Sequence, residues 1–176
     1  MYRFISERYF DAHKEYLRTL KLRYSVYEKD MRKPMGCTYE ALSRVDLPKQ
    51  QRIRVQPLLV EILLHEVYFN SFSNKEHMPS LSIREYFLSE SNFMNQIYGM
   101  AMSVSAGFVG VWQKGGKPQL FSVADYREGL QGKPILALDV CEHAYFGDYA
   151  FNKERYVRDA LKYINTEVFD AFCKTS

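Results

Sequence analysis

Two carboxylate–histidine pairs hold the chemistry available to this chain. Asp139 and His143 lie four residues apart where an apolar strand gives way to a helix, and Glu61 and His65 lie four apart within a helical segment. Residues four apart on a helix share a face. Imidazole and carboxylate on rigid backbone are ligand types that transition metals take. The same spacing also serves a hydrogen bond or a solvated ion pair, so each pair alone leaves both readings open. Cys37, Cys141 and Cys173 are widely separated and form no CxxC pair, which excludes a zinc ribbon or a thioredoxin-type motif. An odd, sparse cysteine count points to a reducing compartment with free thiols.

The elements that must position these residues follow from hydrophobic period. From residue 2 to 31, Tyr2, Ile5, Tyr9, Phe10, His13, Tyr16, Leu17, Leu20 and Tyr24 recur mostly at three- and four-residue spacing, which predicts a long amphipathic helix. Lys33-Pro34-Met35-Gly36 ends it. A short helical turn is expected at 38–42 and a polar loop over 44–53, followed by a second helix over 55–72. Together these make an antiparallel helical hairpin. The polar stretch 71–80 is the expected linker, giving a helical subdomain 1–74 and an α/β subdomain 75–176. Helical pattern resumes at 83–88 and 93–102, with a break and cap at 89–92. The period then changes to that of strands at 107–112 and 119–123, joined through Lys114-Gly115-Gly116-Lys117, a hairpin signal. A third strand, 135–140, is almost wholly apolar and is expected at the centre of the sheet, and 143–173 returns to helix. The layout is α+β.

Composition sets outer limits. With 176 residues, 47% hydrophobic and 26% charged, the chain is of a size and balance that folds. Fourteen Tyr and twelve Phe give a bulky core. The most apolar run, 58–72, is interrupted by Glu61, His65 and Glu66, so it does not read as a bilayer span. A net charge of +3 and a pI near 8.6 are only mildly basic, unlike an autonomous nucleic-acid binder. The first ten residues show no signal-peptide core and make a poor mitochondrial presequence, so processing or synthesis inside the organelle is the expectation if the protein is organellar.

The run Asp139-Val140-Cys141-Glu142-His143-Ala144-Tyr145-Phe146, with Asp148-Tyr149 after it, resembles the DVWEHAYY..DY signature of iron/manganese superoxide dismutases. Leu64-His65-Glu66-Val67-Tyr68-Phe69-Asn70-Ser71-Phe72-Ser73 is similar to that family's NHTFYWNxLS, and His13-Lys14-Glu15-Tyr16-Leu17 to its HxxYV. The family's LPxLPY opening has no counterpart here. The resemblance implies the family's fold, a helical hairpin followed by an α/β part with a three-stranded antiparallel sheet. It also implies a site of three His and one Asp for iron or manganese, which dismutes superoxide by cycling between the +2 and +3 states. His65, Asp139 and His143 fall on three ligand positions.

Counting eight residues back from Tyr16, which matches the gateway tyrosine, puts Arg8 on the fourth ligand position. An arginine is no metal ligand. On this reading Arg8 fills the void and pairs with Asp139. His13 lies about 500° around the helix from Arg8 and is expected on another face. Glu61 stands where iron-type members carry a glutamine and is the other candidate for a fourth ligand. Ala12 and Phe146 replace two groups that bond across the family's dimer, Cys141 replaces a tryptophan beside the site, and Glu142, which bridges subunits, is kept. The vestigial site and the retained framework imply a non-catalytic protein without cofactor. Such superoxide-dismutase-like proteins form a heterodimer in the mitochondrial small ribosomal subunit. The implied setting is therefore the mitochondrial matrix, with a related homologue, ribosomal proteins and rRNA as partners, no membrane, and Glu142, Phe146 and Ala12 at the interface. The alternatives are a divergent iron- or manganese-dependent dismutase with an altered ligand set, and a free-standing dimeric scaffold or redox sensor using Cys141.

Overall fold

A computed structural model describes residues 2–30, 39, 49–76 and 79–174. Helix α1 (Glu7–Asp30) and helix α2 (Lys49–Asn70) form the expected hairpin. Short helices α3 (Leu81–Phe87) and α4 (Glu90–Ser103) follow. Strands β1 (Phe108–Lys114), β2 (Lys117–Val123) and β3 (Lys133–Asp139) then form the sheet, and helices α5 (Glu142–Tyr149), α6 (Lys153–Leu161) and α7 (Thr166–Lys174) close the chain. Among the described residues no helix is long and apolar enough to cross a membrane.

Three details of the helices differ from the sequence expectation. Helix α1 starts at Glu7 rather than residue 2, because Ser6 accepts from Tyr9 N and ties its own N–H to Asp148 Oδ2 at 2.6 Å. Tyr2, Phe4 and Ile5 before it are buried in the main core. Helix α2 starts at Lys49, six residues before its expected start at 55, so 49–53 are helical rather than loop. Gln50, Arg52 and Arg54 are good helix formers on the solvent side, and buried Val55, Leu58 and Leu59 hold the helix to α1. Residues 143–173 divide into three helices, interrupted at Ala150 with φ 49° and recapped by Asn152, whose side chain accepts from Arg155 N. The turn expected at 38–42 lies outside the described residues apart from Tyr39.

The sheet is antiparallel in the order β2-β1-β3, so the apolar β3 is an edge and β1 is central. An edge strand this apolar needs cover. Helices α2 and α7 supply it, and Ser71 Oγ takes the Ala137 N–H at 2.8 Å where a fourth strand would otherwise pair. One large core runs from Tyr2 and Tyr68 through the sheet to Phe169 and is continuous across the expected boundary at 74/75. A smaller cluster, including Leu20, Tyr24, Leu59 and Ile62, seals α1 to α2.

Candidate metal centre

Four elements aim side chains at one point. Helix α1 brings His13, α2 brings His65, β3 ends on Asp139, and α5 brings His143 in its first turn. The strand-to-helix corner is pinned twice. Asp139 Oδ1 accepts from Cys141 N at 2.8 Å, and the Asp139 carbonyl accepts from the buried Tyr156 hydroxyl at 2.8 Å. Helices α1 and α5 approach closely because residue 147 is glycine. A Cβ there would stand 2.5 Å from the Tyr9 ring. Tyr9 also donates to the Glu142 carbonyl at 3.1 Å, tying the turn that holds His143 to the helix that holds His13.

Asp139 Oδ2 lies 2.9 Å from His143 Nε2, 3.2 Å from His13 Nε2 and 3.5 Å from His65 Nε2. The Nε2 atoms of His65 and His143 are 3.4 Å apart. One ligand atom from each residue fits within a 4.8 Å spread. Ligands about 2.1 Å from a shared ion sit roughly 3.0–3.6 Å from one another, so these separations are the edges of a coordination shell. His13, His65 and Asp139 are fully buried, whereas the His143 side chain is 34% exposed. His13 Nδ1 and Nε2 and Asp139 Oδ2 are sealed from water without a hydrogen-bond partner in alignment. Buried polar atoms in a native core are satisfied by something. A cation at the convergence point satisfies His13 Nε2 and Asp139 Oδ2 together. The residues therefore fit a transition-metal ion with an N/O ligand set.

The protonation states of His65 and Asp139 agree with that fit. His65 Nδ1 bonds the Glu61 carbonyl at 2.8 Å. A carbonyl only accepts, so Nδ1 carries the proton and Nε2 keeps its lone pair turned to the centre. Burial, chiefly, lowers the His65 pKa to about 4, keeping it neutral near pH 7. Burial alone would raise Asp139, but the facing His13, His143 and His65 hold its carboxyl well below the usual range. For His143, burial works downward and the Asp139 charge outweighs it, so its pKa rises. On the open side, the Tyr16 hydroxyl donates to Glu61 Oε1 at 2.7 Å, and the Tyr16 ring lies 4.7 Å from that of His143. Burial and Glu61 keep the Tyr16 phenol protonated.

The profile of iron/manganese superoxide dismutases, C-terminal domain, matches residues 75–171, more than half of the chain. The chain belongs to the iron/manganese superoxide dismutase family. No curated protein matches it. The α+β architecture with its N-terminal helices and three-stranded antiparallel sheet is consistent with this dismutase family.

The structure corrects the expectation for the fourth position. Arg8 is exposed on α1 and takes no part in the cluster, and His13 is the fourth member. Anchoring the count on Tyr16 set the phase of α1 wrongly. His13 lies seven residues before Leu20 and eleven before Tyr24, both buried. At about 100° per residue these offsets return to within about 20° of the same line, so the stripe of buried residues was the signal that identifies His13. Arg8 sits about 140° away from it. Glu61 is not part of the four-atom cluster either, and its carboxyl is taken by Tyr16. Ala12, Glu142 and Phe146 are all exposed on neighbouring stretches of α1 and α5. Cys141 sits on the corner that holds Asp139, its N–H bonded to Asp139 Oδ1. Burial, with the Asp139 charge, pushes its thiol up to about 12, and its sulfur accepts the Gly107 N–H at 3.0 Å.

Proposed function

We propose that this chain is a metal-holding, non-catalytic structural member of the superoxide dismutase family. The convergence of His13, His65, Asp139 and His143 carries the first half of the reading. Iron or manganese is the ion proposed. Such an ion in the family supplies an electron carrier between the +2 and +3 states. The chain's own contribution is a preset cage. The Glu61 carbonyl fixes the His65 tautomer, Cys141 N and Tyr156 orient Asp139, and packing excludes water from three of the four ligands. Clipping α1, α2, β3 and α5 together, the ion stabilises the fold wherever it binds the native state alone.

Support for a non-catalytic role comes from the altered surroundings, with an acid at Glu61 and a thiol at Cys141 beside an intact cage. We place the protein in the mitochondrial matrix as a component of the small ribosomal subunit. There it pairs with a related homologue through the face that carries Ala12, Glu142 and Phe146, beside other ribosomal proteins and rRNA. The exposed Phe146 and Phe151 rings, 5.1 Å apart, make that face suitable for a protein partner. The second reading is a divergent iron- or manganese-dependent dismutase. It is favoured by the single open side at His143, with a protonated Tyr16 beside it as a proton source.

Metal content by mass spectrometry and superoxide turnover, measured on one natively purified sample, test these readings. About one ion per chain without turnover, in a sample that sediments with ribosomal small subunits, is the expected result. Turnover selects the dismutase reading. Absence of any transition metal overturns the cage.

A further inference from the structure

This inference rests on the rRNA partner proposed above and concerns the end of the sheet remote from the metal centre. Phe108 of β1 pairs with Asp139, and Lys114 lies six residues further along β1, about 20 Å away. Lys114 ends β1 and Lys117 begins β2, and the two stand directly opposite each other in the antiparallel pair. Lys133 begins β3, opposite Gln113 of β1. With the strand order β2-β1-β3, three lysines from three adjacent strands form one row, and all three are exposed. Lys114 Nζ is held at 3.0 Å by the Gln131 side-chain oxygen, a neutral partner that leaves its charge uncancelled. From Phe108 to Leu138 the chain carries only two acids, and one of them, Asp125, is taken by Arg127.

Like charges directly opposite each other in an antiparallel pair destabilise it. A lysine on an exposed edge strand blocks unwanted strand pairing, which accounts for Lys117 on β2 but not for Lys114 on central β1. Neither packing nor edge protection therefore accounts for the opposed pair. We infer that this lysine row is a contact for the phosphate backbone of RNA. A polyanion turns the mutual repulsion into attraction, and its bound counterions are released. Gly115 and Gly116 between the two lysines take φ 61° and 77°, and a Cβ on either would meet nothing within 4 Å. The tip is thus bare peptide that a phosphate can approach closely. The tip exposes no apolar side chain to enter a bilayer and no aromatic anchor, and lysine is depleted in protein–protein interfaces, so RNA fits it better than a membrane or a protein. The mild net charge of the chain suits a local contact within a larger assembly.

The test is fluorescence anisotropy of a labelled hairpin RNA titrated with the full-length chain between about 50 and 200 mM potassium chloride. Wild type is expected to bind with an affinity that falls steeply as salt rises. Lys114→Gln/Lys117→Gln is expected to bind at least about tenfold more weakly at the lowest salt, with a log–log salt slope shallower by about 1.8, two phosphate contacts at about 0.9 each. Arg3→Gln/Arg8→Gln, which removes the same charge from exposed positions elsewhere, is expected to keep the wild-type slope. An unchanged slope in the lysine variant overturns the inference, and so does an equal loss in the arginine variant. It is also overturned if wild type binds no RNA, or binds phosphatidylserine vesicles more tightly than the RNA. Where the double variant does not fold, Lys117→Glu decides, because it makes the cross-strand pair attractive. Weaker RNA binding with Tm unchanged or raised supports the inference, and unchanged RNA binding overturns it. Sedimentation of wild type with ribosomal small subunits is read separately. Its absence overturns the ribosomal reading, whereas the salt slope of the purified chain decides the lysine row.

Discussion

The closed and open sides of the centre obey different rules. On the closed side, His13, His65 and Asp139 are sealed, each on a different element, and each is oriented by packing or by a backbone bond. On the open side, His143 and Tyr16 are about one-third exposed and Glu61 meets Tyr16 through one side-chain bond. A substitution on the closed side strands a buried charge or an orphaned imidazole, so the ligand set resists change. On the open side water replaces part of what is lost, so an acid is tolerated at Glu61. That difference is how one site keeps the means to hold an ion while its approach is altered.

The sharpest way to break this comparison is at His13. Replacing it with Ala is expected to lower iron or manganese affinity at least about 100-fold, while Arg8→Ala leaves it unchanged. Metal retained per chain after dialysis reads both. Loss on Arg8→Ala instead would restore the arginine to the site.

Next in size is removal of the ion. With metal at about 1,000 times its Kd, linkage stabilises the fold by about 4 kcal/mol, so a strong chelator is expected to lower Tm by several degrees. Scanning calorimetry with and without chelator measures it. An unchanged Tm would mean that the cage holds nothing.

Gly147→Ala tests whether the close approach of α1 and α5 sets the closed side. The new methyl meets the Tyr9 ring, and the expected cost is about 1–3 kcal/mol in urea unfolding, together with weaker metal binding because His13 moves with α1. A stability loss with metal affinity intact would separate the two.

The smallest effect on the fold belongs to Phe146→Ser on the open face. It is expected to change stability by no more than about 0.5 kcal/mol and to abolish association with the partner. Analytical ultracentrifugation of the native complex distinguishes that result from a surface with no partner.

Much of this was legible in the residues. The hairpin signal at Gly115-Gly116, the three strands and the helical α2 face follow from period, and the resemblance to the dismutase motifs implied His65, Asp139 and His143 as ligand positions. The division of 143–173 was not, because Ala150 takes a positive φ that its residue type does not announce. Nor was the place of β3. An almost wholly apolar strand reads as central, yet it lies at the edge because α2, α7 and Ser71 cover it.

The sequence by itself determined most of the elements, since periodicity is a local property, and its resemblance to the dismutase motifs marked His65, Asp139 and His143 as ligand positions. Only the tertiary structure decided that His13 completes the set and that Arg8 points to water. The rotational phase of a long helix is set by the surface it packs against. Here that surface is the Val55, Leu59 and Ile62 side of α2, against which Leu20 and Tyr24 of α1 pack, together with the close contact of Tyr9 and Gly147. A residue count from one tyrosine carries no information about either contact.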